Sequence, residues 1–253
     1  MSSNTIDFSK SAVNAAQVPL DKVTVDQLVA SLSSNSLKKQ LTAIHELAAL
    51  GAYGEDVLIA FVNERMSVQN PHEPSAAHGS AYQYLYQSSA MAAKEFIEAF
   101  PDGLVCPQSD QGIDYGELQM LLVRQEYELA DKLTTQKLCE LAGESAAARK
   151  WVYFTEISQI PAIDLQAIDL MWGLYSENKF GWSKQRELWL RLGKNWERLW
   201  AQLIWKTDAA WTRYPHEFIW DLSAPVGHLP LSNQLRGVRT MNALLSHPAW
   251  DHS

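Results

Sequence analysis

The sequence predicts an all-α protein, and three observations carry that reading. Apolar residues recur at three- and four-residue steps along most of the chain, no stretch alternates convincingly at the two-residue step of a strand, and caps, glycines and prolines punctuate the periodic runs. With 253 residues, 47% of them hydrophobic and 20% charged, the chain is long enough for one large domain or two modest ones and can bury a substantial core.

The elements follow in order. Residues 1–20 are rich in Ser, Asn and Ala and read as a mobile N-terminus. Val25, Leu28 and Leu32 then follow helical spacing. Leu37, Leu41, Ile44 and Leu47 make a second stripe, and Val57, Leu58, Phe61 and Val62 a third. The run from Leu37 to Arg65, broken at Gly51 and Gly54, reads as a helical hairpin similar to a HEAT-type unit. Tyr82, Leu85, Tyr86, Met91 and Phe96 lie among alanines and end at Pro101, so residues 21–100 read as one small helical bundle. Residues 101–113, with two prolines and two glycines, read as a linker.

A second helical domain is expected over 114–253. Asp114, with Glu117 three residues on, suits a helix start, and a further helix runs to the stop at Gly143. After Pro161, Asp164 is expected to cap a helix whose Leu165, Ile168, Leu170, Met171, Trp172, Leu174 and Tyr175 occupy nearly every side, marking a buried central element. Ser183 is expected to cap a helix ending at Gly193, and Trp196, Leu199, Trp200 and Leu203 form the next stripe. Between Lys206 and Leu231 periodicity stops, and Pro215, Pro225, Gly227 and Pro230 forbid a long helix. A loop of that length in a compact domain usually has a function. Ser232 is expected to cap a last helix on which Asn233, Arg236 and Arg239 share a flank.

Charge and aromatic content divide the chain. Residues 1–150 carry 11 Lys and Arg against 19 Asp and Glu, and residues 151–253 carry 10 of each, so the net charge of -8 belongs to the front. With no basic cluster to neutralise phosphates, nucleic acid is not an expected partner. All ten tryptophans fall between Trp151 and Trp250. Cys106 and Cys139 lack metal-ligand spacing and fit a reducing compartment. Neither a signal peptide nor a membrane-spanning run is visible, and the nucleophile, zinc and nucleotide motifs are absent, so no enzyme activity is expected.

The strongest constellation joins the loop to the last helix. The loop carries Trp211, Tyr214, Phe218, Ile219 and Trp220, and no acidic residue occurs from Leu222 to Trp250 to pair with Arg236 and Arg239. Planar guanidinium forks beside flat indoles suit a flat apolar molecule with acidic edges. From the residues alone a second reading stays open, in which the tryptophans are core and the arginines are solvated or paired with distant acids. His216 and His228 could ligate a metal at the centre of a macrocycle, although loop histidines are more often solvated or hydrogen-bonded.

Three segments are more specific: YGELQMLLVRQEYELADKLTTQKL, IPAIDLQAIDLMWGLYSENKFGWSKQRELW and FIWDLSAPVGHLPLSNQLRGVR. Together, over about residues 112–250, they resemble the genomes-uncoupled-four family of porphyrin-binding proteins from oxygenic phototrophs, and residues 21–100 resemble the helical extension of its cyanobacterial members. The resemblance implies an all-helical core shaped like a cupped hand that holds protoporphyrin IX or Mg-protoporphyrin IX. It implies stimulation of magnesium chelatase in chlorophyll synthesis, with the large porphyrin-binding subunit of that enzyme as partner and no catalysis by the chain itself.

Carried onto this sequence, the ligand contacts fall on Asn233, Arg236 and Arg239, with Trp211, Phe218 and Trp220 in a mobile greasy loop and Arg124 and His228 as further contacts. A monomer in the cytoplasm or plastid stroma, peripherally associated with membrane, fits that role. An apolar cleft burying a few hundred Å² of macrocycle would supply on the order of 10 kcal/mol gross, reduced by ordering and association costs. The alternative function is a helical adaptor that binds a protein segment and no pigment, motivated by the α-hairpins at 37–65 and 115–142.

Overall fold

The structure, a computed structural model, describes residues 22–66, 74–207, 210–231 and 238–251. Five helices build the front: α1 (Lys22–Leu32), α2 (Leu37–Ala48), α3 (Ala52–Met66), α4 (Ala76–Gln87) and α5 (Met91–Ala99). Helices α2 and α3 form the hairpin that their stripes imply, burying Ile44, Leu47, Leu58 and Val62, and the chain turns between them at Gly51 in the left-handed region. Helix α4 is buried on most sides and packs against α2, α3 and α5.

The rear comprises α6 (Gly116–Val123), α7 (Tyr127–Leu141), α8 (Glu144–Arg149), α9 (Phe154–Ile157), α10 (Ala162–Leu174), α11 (Trp182–Arg191), α12 (Trp196–Gln202) and α13 (Val238–Leu245), followed by a 3₁₀ turn at Pro248–Trp250. Among the described residues, the only strand pairing is a two-residue antiparallel ladder, Lys206–Thr207 (β1) with Ala210–Trp211 (β2), at the start of the long loop. No helix crosses the rest of the loop over 212–231.

Helix α10 is the central element that its all-round apolarity implies, with Leu165, Ile168, Met171 and Trp172 inaccessible to solvent. It packs on α4, α6 and the C-terminal 3₁₀ turn, so one contiguous apolar cluster runs from Leu28 to Trp250. The Gln83 amide on α4 donates to the Leu122 and Tyr175 carbonyls at 2.9 and 3.0 Å, and Tyr127 donates to the Tyr175 carbonyl at 2.7 Å. The two Gln83 bonds join front to rear. Residues 101–113 are pinned as well. The Leu104 amide donates to the Tyr175 hydroxyl at 2.9 Å, and Gly103, at a φ of 90°, sits where a Cβ would collide with the Gln119 side chain.

Three caps differ from expectation. Pro161 precedes α10, and Asp164 is buried instead, accepting from the Tyr115 hydroxyl at 2.6 Å and the Asp110 amide at 3.1 Å. Gly181, not Ser183, occupies the N-cap of α11, and the Asp169 carboxylate reaches across from α10 to accept the Ser183 amide at 2.9 Å. Tyr115 occupies the N-cap of α6, while Asp114 accepts the Gly116 amide at 2.8 Å in a local turn. The expected cap at Ser232 lies outside the described residues.

Candidate functional site

The long loop is held at its far end by a strap, residues 227–231, whose backbone is bonded almost atom by atom. The Gly227 amide donates to the Lys179 carbonyl at 2.7 Å, and the Gly181 amide donates to the Leu229 carbonyl at 3.0 Å. The buried Gln185 amide donates to the Gly227 and Pro230 carbonyls at 3.0 and 2.8 Å, and the Trp205 indole donates to the His228 carbonyl at 2.8 Å. Leu231 donates its amide to the Asp131 carboxylate of α7 at 2.6 Å. Gly227 is required here: its φ is 80°, and a Cβ would lie 2.9 Å from both Leu188 and Leu203.

His228 is part of this strap and is 1% exposed. Its Nδ1 lies 2.6 Å from the Leu203 carbonyl and its Nε2 accepts the Ile219 amide at 3.2 Å. Since a carbonyl only accepts and an amide only donates, the proton sits on Nδ1 and both nitrogens are occupied. Burial lowers the pKa and keeps the ring neutral. His228, expected as a ligand contact, is thus a buried strut between α12 and the loop whose ring nitrogens are both engaged within the chain. Among the described residues no group of three or more His, Cys, Asp or Glu side chains could hold a metal ion. Both cysteines are free, Cys106 exposed and Cys139 buried.

The tryptophans divide. Trp172, Trp182, Trp189, Trp200, Trp205 and Trp250 are buried core, as the second reading left open for the tryptophans has it. Trp189, Trp196, Trp200 and Trp205 form a ladder with centroid spacings of 4.8, 5.3 and 5.6 Å, and Trp211 branches from it at Trp200, 5.8 Å away. Trp211 is 41% exposed, with the Lys206 ammonium 5.5 Å from its ring. Further along the loop, Tyr214, Phe218 and Trp220 make a small aromatic knot with centroids 5.9 to 6.3 Å apart. Tyr214 is exposed, Trp220 is half-buried with its indole donating to the Pro215 carbonyl, and Phe218 is buried against His228. Trp211 and Trp220 thus present surface, while Phe218 supports the knot from beneath.

Arg239 is exposed on the first turn of α13, with its guanidinium carbon 5.5 Å from the centroid of Phe154 on α9. Among the described residues it has no carboxylate partner. Phe154 and Tyr153 are themselves exposed, so this corner pairs a cation with open aromatic surface. Asn233 and Arg236 lie outside the described residues. Arg124 stands apart, at the C-cap of α6, its charge already engaged by Glu126 at 3.0 Å.

Sequence reasoning missed Phe154 and Tyr153, the first residue and the N-cap of a four-residue helix too short to show periodicity. It also missed Asp131, which looks like one more acid of a solvated face in YELADKL yet is 3% exposed. Cavities of about 590, 430 and 420 Å³ are lined in part by Leu170 and Cys106, by Asp169 and Gly173, and by Phe61 and His78. None of the three includes a residue of the expected set.

Comparison with known proteins gives matches over both parts of the chain. The GUN4-like family model matches residues 108–248, and the model described as an ARM-like repeat domain, GUN4-N terminal, matches residues 18–101. A Ycf53-like protein of Synechocystis is 45% identical over 225 residues, spanning 88% of this chain and 95% of that protein. A protein of Arabidopsis thaliana named tetrapyrrole-binding protein, chloroplastic, is 39% identical over 142 residues, 53% of this chain and 54% of that one. The solved structure of GUN4 from Chlamydomonas reinhardtii superposes with a TM-score of 0.55 at 41% identity, covering 58% of this chain and 95% of that one. The ligand-free structure of Arabidopsis thaliana GUN4 gives 0.51 at 36% identity, covering 56% and 98%.

Proposed function

This chain belongs to the GUN4-like family, and from that premise we propose that it binds a closed tetrapyrrole, protoporphyrin IX or its magnesium complex, and stimulates magnesium chelatase without being the catalyst. The observation that carries the reading is the corner where Arg239, unpaired among the described residues, lies over the exposed ring of Phe154. A porphyrin offers two broad apolar faces and two propionates. Its receptor needs open aromatic surface beside unpaired cations.

Asn233, Arg236 and Arg239 hold the propionates in this account. Phe154, Trp211 and Trp220 supply apolar surface, and Phe218 supports the loop. Because both ring nitrogens of His228 are already bonded, His228 would not supply a ligand to the magnesium of a bound complex. The chain acts on the large porphyrin-binding subunit of the chelatase as a monomer. It works where chlorophyll is made, in the cytoplasm of a cyanobacterium or a plastid stroma, at the membrane surface; no helix among the described residues is long and apolar enough to cross a bilayer. Reconstituted chelatase assayed with and without the chain tests the activation. A rise in the rate of magnesium insertion at limiting protoporphyrin is expected, and an unchanged rate would remove it.

A further inference from the structure

His78, in the first turn of α4, is 8% exposed, and its ring is held on two sides. One face stacks on Phe61 of α3, with centroids 4.3 Å apart and planes 7° from parallel. The Ser75 amide donates to Nδ1 at 3.1 Å, and the Ser75 hydroxyl lies 2.8 Å from the same atom. Since an amide only donates, Nδ1 is the acceptor and the single proton of the neutral ring sits on Nε2. Burial first, and then the charge of Arg65, hold the pKa down at about 4 and keep the ring neutral. Nε2 has no hydrogen-bond partner among the described residues, and it still touches open space. A donor in so buried a setting gains from any acceptor that reaches it.

That open space is the cavity of about 420 Å³ in the front bundle, a volume typical of small-molecule sites. Ser34 and Gln40 line it on one side, Glu64 and Arg65 of α3 on another, and Ser75 and His78 at the start of α4. Glu64 and Arg65 each have interactions of their own and are not free. Of the two, Arg65 is the one whose charge bears on the His78 ring, so the potential there favours a negative group. We propose that this cavity is a second binding site of the chain, for a small molecule carrying a carboxylate or phosphate oxyanion, with the His78 Nε2–H as its buried donor. The site goes beyond the tetrapyrrole reading and shares none of the residues given to it. An oxyanion oxygen at Nε2 completes the donor with a charge-assisted bond, and the stacked Phe61 and His78 rings hold that donor in place.

The test is an NMR titration of the full chain at pH 7 with sodium formate and, separately, with inorganic phosphate, using sodium chloride at matched ionic strength as the control. Saturable movement of the His78 ring-proton resonances is expected with at least one of the two oxyanions, with a Kd on the order of millimolar, while the other histidines stay in place. Saturation by formate alone marks a carboxylate site, and saturation by phosphate alone marks a phosphate site. His78→Phe keeps a ring against Phe61 and removes the donor, so the Kd, read at the Ser34 amide, should weaken by about tenfold. No saturable movement with either oxyanion, or equal movement with chloride, would overturn the proposal even if the variant failed to fold, because that arm needs no substitution. An unchanged Kd in folded His78→Phe would overturn it as well. Neither arm involves a porphyrin, so failure here leaves the tetrapyrrole reading standing.

Discussion

Gly79 of α4 lies against the backbone of Leu174 so closely that a methyl group at its Cα would sit 2.0 Å from the Leu174 carbonyl oxygen. Helix α4 in front and the C-terminal end of α10 behind meet at that point, and no side chain fits between them. Gly79→Ala should therefore force the halves apart and destabilise the protein by about 3 kcal/mol, read from urea unfolding. Gly173→Ala, one residue before Leu174, is the control. Its nearest neighbour would be 3.7 Å away, ordinary contact, so the gain in helix propensity should leave stability equal or about 0.5 to 1 kcal/mol higher.

His78 should make the bundle acid-sensitive. Its ring stacks on Phe61 at 4.3 Å and its Nδ1 accepts the Ser75 amide at 3.1 Å. Burial first, and then the charge of Arg65, lower its pKa from 6.5 to about 4. The unfolded chain takes up a proton near 6.5 while the folded chain resists until about 4. The stabilisation is thus complete above 6.5 and is lost as pH falls through that window. His78→Gln should cost more at pH 8 than at pH 4.5, by on the order of 2 kcal/mol, and equal costs at the two pH values would contradict the assignment. Asp131 runs the other way: its raised pKa favours the fold fully below the usual carboxylate range, and that contribution is lost as pH rises through about 7.

How much of this was legible in the sequence depended on whether the signal was local. Helix α10 was readable because Leu165, Ile168, Met171 and Trp172 occupy nearly every side of it, and burial of most of the helix follows directly. The caps were not, because the group that satisfies the start of α11 is Asp169, 14 positions before the Ser183 amide it accepts. A cluster of tryptophans reads equally as receptor or core. Trp189 of α11 turned out to pack on Trp196 of α12, and spacing within one helix cannot show that. His228 and Asp131 gave no local sign of their roles, since each is defined by a backbone partner from another part of the chain, the Leu203 carbonyl and the Leu231 amide.

Gln185 should matter to the loop out of proportion to its size. Its amide bonds two strap carbonyls in a fully buried setting, so Gln185→Leu leaves both acceptors without their donor and should cost about 2 to 3 kcal/mol. Faster hydrogen exchange confined to 227–231 and its neighbours would accompany that loss. Uniform loss across the fold would instead place Gln185 in general packing.

Phe154 provides a check on the aromatic corner that needs no arginine to be altered. It is exposed, so Phe154→Ala should change stability by less than about 1 kcal/mol. Protoporphyrin IX affinity should nevertheless fall by about tenfold as one apolar face of the receptor is removed. Unchanged affinity would move the macrocycle away from α9.

The central claim is that this chain grips a planar tetrapyrrole by its carboxylate edge, and the most direct measurement is a titration of the purified chain with protoporphyrin IX, following tryptophan emission and the porphyrin absorption band together. The account expects saturable quenching with a Kd on the order of micromolar or tighter, weakened at least about tenfold in the Arg236→Ala, Arg239→Ala double variant. Absence of saturable quenching in the wild type at concentrations on the order of tens of micromolar, or identical curves for wild type and double variant, would contradict it.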